Sequence, residues 1–181
     1  MIKYKPNPHK VIEALVYVAK KCPGRGFHFV LKTLYFADKL HLQRYGRPVL
    51  GDTYIKMSFG PVGSLAYDFL KLSDFAPLEL LDVVERALRV ERDGKKPKVH
   101  AQRDFNPDLF SKTDLEVLEE ASNHCSRMDF NTRTMITHDE PAWVEAQMRG
   151  EMDYELILDE DAENRDELLE YIRETSHSIA F

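Results

Sequence analysis

The chain has 181 residues, 43% of them hydrophobic and 31% charged, with a net charge of −6. That length supports one domain with a sizeable core, and no Gly/Ser-rich or Pro-rich linker divides it. The acidic balance argues against general nucleic-acid binding, and no apolar run approaches the roughly 18–20 residues of a membrane span.

The N-terminal MIKYKPNPHK is polar and the apolar run after it contains Glu13, so it does not read as a signal peptide. Asn7-Pro8 reads as an N-cap followed by proline in a first helical turn, and Val11, Ile12, Leu15, Val18 and Ala19 recur at helical spacing over 8–21. CPGRG ends that helix. A second helix is expected over 27–45, with an apolar stripe through Val30, Leu31, Leu34, Tyr35, Leu42 and Tyr45. Asp38 and His41 fall on that stripe. A buried carboxylate needs partners, and His41, three residues away, is the nearest candidate. Gly46 suits the C-cap and Pro48 stops continuation.

Residues 53–59 alternate as a strand. Gly60-Pro61 reads as a strand-to-helix corner, with Pro61 in the first turn of a helix lined by Val62, Leu65, Ala66, Phe69 and Leu72. A short helix over 77–86 precedes a β-hairpin of 87–92 and 97–103 around DGKK. Ser111 and Asp114 form a capping box for a helix through about Cys125, with Leu115, Leu118, Ala121 and Ser122 inward. Asn131 is expected to cap a short helix. Thr137 and Glu140 are expected to cap the next one, reciprocally, with Pro141 in its first turn and Gly150 at its end. A last helix, about 160–175, carries Leu168, Leu169 and Ile172. The expected class is α+β, mostly helical, with a small antiparallel sheet.

The two cysteines, Cys22 and Cys125, lack CxxC spacing and suit a reducing cytosol. His124 beside Cys125 is poor metal geometry, because adjacent helical residues point about 100° apart. Neither a metal nor a cofactor is expected. Charge is uneven. Residues 86–103 carry Arg86, Arg89, Arg92, Lys95, Lys96, Lys98 and Arg103 against Glu91 and Asp93, a local +5 that leaves −11 elsewhere. This segment is either a solvated hairpin or a basic patch for an acidic partner. Acidic residues crowd the tail, among them Asp159, Glu160, Asp161, Glu163, Asp166 and Glu167.

THDEPAW, 137–143, holds the only tryptophan. Trp143 either anchors its helix to the core, where truncation costs about 3–5 kcal/mol, or rims a partner surface with His138. HExxH, Walker and GxGxxG motifs are absent, and no elbow surrounds Ser111, Ser126 or Cys125. An enzyme, for instance a hydrolase using His138 or the Asp38/His41 pair as general base, remains the alternative of another class. No catalytic residue is assigned.

Two stretches together resemble one family. LKTLYFADKLHLQRYGRPVLGDTYIKMSFGPV, 31–62, and THDEPAW are similar to the Panacea domain, the SocA-like antitoxin family of bacterial and phage toxin–antitoxin systems. The resemblance rests on Leu34, Tyr35, Asp38, Gly51, Asp52, Tyr54, Gly60 and Pro61, then His138, Pro141, Ala142 and Trp143. It covers roughly residues 8–175 as one domain. It implies a cytoplasmic antitoxin that neutralises a toxin, usually encoded next door, by protein contact. An adaptor delivering its toxin to a ClpXP-type protease is the second mode it implies. Some longer members carry an added DNA-binding region, whereas this chain starts close to the first helix and is expected to match the bare domain. On this view Tyr35, Asp38, His41, Gly51, Asp52, Tyr54, Gly60, Pro61, His138, Pro141 and Trp143 are a mainly structural framework. The 86–103 hairpin is the first candidate for partner contact. Oligomeric state stays open.

Overall fold

The computed structural model describes residues 2–92, 94, 96–159, 162 and 164–175. Helix α1, Pro8–Lys21, starts where expected, with Asn7 Oδ1 accepting the N–H groups of His9 and Lys10 at 3.0 and 3.4 Å. A two-residue strand β1, Arg25–Gly26, leads into helix α2, Phe27–Tyr45, which Gly46 closes in the left-handed conformation. Strands β2, Tyr54–Met57, and β3, Gly60–Gly63, form an antiparallel hairpin with Tyr54 opposite Gly63 and Met57 opposite Gly60. Helices α3, Ser64–Lys71, and α4, Leu78–Ala87, follow. Strands β4, Leu88–Glu91, and β5, Lys98–Ala101, form the expected hairpin, to which β1 adds a third strand in the order β1-β5-β4. A 3-10 turn at Pro107–Leu109 precedes α5, Lys112–Ser126; then come α6, Phe130–His138, α7, Pro141–Glu145, α8, Tyr154–Ile157, and α9, Arg165–Thr175. The architecture is α+β and mostly helical, as expected.

Helix α2 is the centre of the molecule. Its ten consecutive residues Phe29–Asp38 are all buried, so the helix is enclosed on every side rather than along one stripe. It packs against α5, α1, α3, α6 and β3. The polar members of that run are satisfied internally: Thr33 Oγ1 donates to Phe29 O at 2.9 Å, and Lys32 Nζ donates to Pro61 O at 2.6 Å. Val11, Leu15 and Val18 of α1 and Val117, Leu118, Ala121 and Cys125 of α5 complete the core around it.

Several local expectations are corrected. Gly60-Pro61 does not begin a helix; it opens β3, and α3 begins only at Ser64. The reason is the turn at Ser58-Phe59, which folds the chain straight back on β2, with Gly60 at φ +96. Helix α6 is capped by Asp129, which accepts the Thr132 N–H at 2.7 Å, and not by Asn131. The Ser111–Asp114 capping box is present with both reciprocal bonds. The Thr137–Glu140 box is not. Thr137 still belongs to α6, where its hydroxyl bonds back to Arg133 O, and the Glu140 carboxylate turns to Tyr35 and Lys39 instead.

Helix α7 ends at Glu145 and not at Gly150. Beyond it the chain runs extended along the outer edge of β2. Arg149 N–H donates to Lys56 O, Lys56 N–H to Gly150 O, and Met152 N–H to Tyr54 O, at 2.8–2.9 Å. Helix α9 starts at Arg165; Glu160, Asp161 and Glu163 of the expected acidic helix lie outside the described residues.

The corner at Gly60 has no room for a side chain. A Cβ there would meet Thr137 Oγ1 and lie 2.8 Å from Lys32 Nζ, on a backbone φ that L-residues avoid. Gly94 has a similar φ, +100, with nothing within 4 Å of its Cβ position. Gly60→Ala should therefore cost at least about 2 kcal/mol more than Gly94→Ala in urea denaturation. Equal losses would show that backbone strain alone, and not the Thr137 and Lys32 contacts, governs this corner.

Candidate functional site

Asp38, the carboxylate on the buried face of α2, accepts three hydrogen bonds. They come from the N–H groups of Leu50 at 2.7 Å and Gly51 at 3.0 Å, and from the Tyr54 hydroxyl at 2.9 Å. Burial pushes its carboxyl up to about 6, against these donors, which favour the charged form. His41 is not its partner, which corrects the sequence expectation. One helical turn brings His41 instead to the loop after α2, where Nδ1 lies 2.8 Å from Arg47 O and Nε2 lies 3.0 Å from Thr113 Oγ1. A carbonyl can only accept, so Nδ1 carries a proton. Burial lowers the His41 pKa, against Asp114, which favours the charged form.

Asp52 does the work of a helix cap from a distance. Gly63 occupies the N-cap of α3 without a side chain to offer. Asp52 supplies the oxygens, accepting Leu65 N–H and Ala66 N–H at 3.0 Å each. A Cβ on Gly63 would sit 2.6 Å from that carboxylate. Burial raises the Asp52 carboxyl to about 7. The hydroxyl of Tyr154 donates to Asp52 O at 2.7 Å, and the Tyr54 ring packs edge-on against Tyr35.

Tyr35 donates to Glu140, and Glu140 also pairs with Lys39 at 3.0 Å. Lys39 reaches Asp159 at 2.6 Å as well, which ties the C-terminal segment to α2. Burial opposes the charge on Lys39, but Glu140 and Asp159 outweigh it and raise its pKa. Lys32 makes no ion pair among the described residues, and Glu140 only partly offsets its burial. Its ammonium is buried against the Pro61 carbonyl, and burial brings its pKa down to about 7. Asp114 of the capping box is a further hub, within 3.2 Å of Lys10, His41 and Arg47.

His138, Pro141 and Trp143 lie at the join of α6 and α7. The imidazole of His138 stacks on the indole of Trp143 with centroids 3.8 Å apart. Trp143 Nε1 donates to Met57 O at 3.2 Å, and Lys56 Nζ stands 4.1 Å over its ring. Trp143 is half-buried and clamps α7 to the β2–β3 hairpin. Burial, then Lys32 and Lys56, lower the His138 pKa, which suits a neutral stacked ring. Tyr35, Asp38, Gly51, Asp52, Tyr54, Gly60, Pro61, His138 and Trp143 thus form connected interior contacts around α2 and the β2–β3 hairpin. Asp38 and His41 point to different partners.

The basic segment is spread over α4, β4 and β5. Arg103 is drawn inward, binding Glu13 at 2.5 and 2.8 Å. Arg86 donates to Asp82 O of its own helix at 3.1 Å, and Lys96 lies over Phe130. Arg89, Arg92 and Lys98 are exposed, and Lys95 lies outside the described residues.

The sequence profile of the family described as antitoxin SocA-like, Panacea domain, matches residues 30–144, well over half of the chain. The chain belongs to this family. No curated protein and no solved structure matches it. The matched span of the Panacea domain begins in α2 and ends in α7, and so takes in Asp38, Asp52, Tyr54, Gly60 and Trp143. No described helix is long and apolar enough to cross a membrane. No group of three or more His, Cys, Asp or Glu among the described residues could hold a metal ion.

Sequence reasoning missed Lys32, Lys39 and the hub role of Asp114. Lys32 was signalled only by its place one turn before the buried Tyr35 and Phe36, because a lysine on a helix normally reaches solvent.

Asp38→Asn replaces one acceptor oxygen by an amide facing donors, and should cost about 3 kcal/mol or more; Tyr54→Phe should cost about 1–3 kcal/mol. Chemical denaturation of both variants tests this, and a smaller loss for Asp38→Asn than for Tyr54→Phe would contradict it. Lys32 gives a pH signature. Between about 7 in the folded chain and 10.5 in the unfolded chain, the unfolded state binds the proton that the folded state lacks. Stability contributed through Lys32 therefore rises with pH across that window. Thermal unfolding at pH 7 and 9 should show the natural chain gaining on Lys32→Met, and a parallel response would refute it.

Proposed function

We propose that this chain is a cytoplasmic antitoxin that neutralises a cognate, adjacently encoded protein toxin by direct binding. Membership of the antitoxin SocA-like family supports the antitoxin role. The observation that carries the binding mode is the inward direction of the signature side chains. Asp38, Asp52, Tyr54 and Tyr35 use their polar atoms on backbone groups, on one another and on Glu140. Such a framework holds a fold rigid and leaves the exterior to choose the partner. Occlusion of the toxin's active surface needs no turnover and no catalytic constellation.

The test is a growth rescue. The neighbouring reading frame and this chain are placed under separate inducible promoters, and cells are plated with each alone and with both. The neighbour should arrest growth, and this chain should restore plating to the empty-vector level. Immunoblotting of the toxin separates two modes. Rescue with an undiminished toxin that co-purifies with this chain supports occlusion. Rescue with toxin loss that is reversed in cells lacking a ClpXP-type protease supports delivery instead.

A further inference from the structure

Leu72 ends α3 in the left-handed conformation at φ 52. Three N–H groups of the turn after it are bonded. Ser73 N–H donates to Asp68 O at 2.9 Å, Phe75 N–H to Ser73 Oγ at 3.3 Å, and Ala76 N–H to Ser73 O at 3.0 Å. Ala76 is buried and anchors the turn in the core. Phe75 consequently points outward and is 89% exposed, and Leu78 on the first turn of α4 is 69% exposed. A turn this well bonded could hide a phenylalanine or carry a polar residue; instead it holds the ring in solvent.

Beside this turn lies a cleft of about 250 Å³ whose walls include Leu72, Val84, Leu88 and Val90, with Arg89 and Arg92 at its edge. That is larger than the roughly 150 Å³ cavity known to accept benzene. Among the residues lining the cleft, Glu85 is the one carboxylate beside these two arginines. Arg89 is only loosely paired, 3.8 Å from a Glu91 that is itself partly exposed, and Arg92 makes no ion pair among the described residues. The contrast with the larger groove between α2 and α5 is informative. There Lys39, Glu119 and Glu120 are already paired with Glu140 and Asp159, with Lys21 and with Arg44. The cations near Phe59 are likewise engaged, Lys56 with Trp143 and Lys96 with Phe130.

We infer that the α3–α4 corner, with Phe75, Leu78 and the Arg89/Arg92 cleft, is the surface that receives the toxin, and that the toxin segment docking there presents a bulky apolar side chain flanked by carboxylates. This inference rests on the antitoxin reading above. The apolar cleft takes the side chain, the guanidiniums take the carboxylates in bidentate geometry, and Phe75 and Leu78 lie against the segment's flank.

The experiment pairs the growth rescue with affinity measured between the purified natural chain and its adjacently encoded toxin. Phe75→Ser and the double variant Arg89→Glu/Arg92→Glu alter exposed side chains, so melting temperatures should stay within a few degrees of the natural chain. Each should weaken binding at least about tenfold and reduce rescue, while Met135→Ser on the exposed face of α6 should leave both unchanged. Natural-chain rescue with undiminished affinity for both variants overturns this surface and leaves the antitoxin reading standing. A natural chain that fails to rescue or bind removes both. Light scattering of the isolated chain adds a last arm. A dimer that Phe75→Ser converts to monomer makes the corner a self-interface and overturns the assignment to the toxin.

Discussion

The structure depends on one buried carboxylate. Asp38 sits in the middle of a helix enclosed on all sides, and the free energy of placing it there is recovered only if its donors arrive together. Two of them are backbone N–H groups of the loop at Leu50-Gly51, and the third is the Tyr54 hydroxyl at the start of β2. The loop conformation, the entry angle of β2 and the position of α2 are thereby set by a single group. Asp52, immediately after that loop, then fixes the start of α3 through Leu65 and Ala66. Two aspartates fourteen residues apart in sequence thus organise a helix, a loop, a hairpin and a second helix.

Those parts of the fold governed by local chemistry were legible. The proline after Asn7, the Gly46 cap, the Ser111–Asp114 box and the hairpin around DGKK all follow from short-range rules, and the structure contains each. The need of Asp38 for partners was legible too, but their identity was not. A backbone N–H leaves no mark in sequence, whereas a histidine one turn away does. The same bias misled the reading of Thr137 and Glu140. Their spacing fits a capping box, yet Glu140 reaches a tyrosine and a lysine on α2, about a hundred residues earlier. At Gly60-Pro61 the proline suggested a helix start. The deciding feature was the turn at Ser58-Phe59, which pairs Gly60 and Pro61 back onto Met57 and Lys56 of β2, and a proline alone does not reveal it.

Of the candidate site, the signature residues named from the sequence lie mostly in the interior, and the surface proposed for the partner overlaps the 86–103 segment only in part. Charge counting singled out the 86–103 segment, but it weighed Arg103 equally with Arg92. The structure separates them: Arg103 closes on Glu13, while Arg92 lies at the edge of a cleft. Phe75 carried no signal, since a lone phenylalanine in a short linker between helices reads equally well as core. A fold held by interior hydrogen bonds between α2 and its neighbours can change such surface residues with little effect on stability, which is the property a family of binding scaffolds requires.

The segment after α7 has a further consequence. Residues 149–152 lie along the outer edge of β2, bonded to it through main-chain groups of Lys56 and Tyr54. A two-stranded hairpin left bare would offer its free edge to any extended chain, including a second molecule of itself. Here that edge is already taken by the protein's own backbone. The covering is made by amides and carbonyls, but Arg149 takes a left-handed φ of 66, a Cβ on Gly150 would lie 2.9 Å from Gln147 O and Met152 is buried, so of these four positions the exposed Glu151 is the freest to change. Intermolecular strand addition at β2 is thus blocked by chain path.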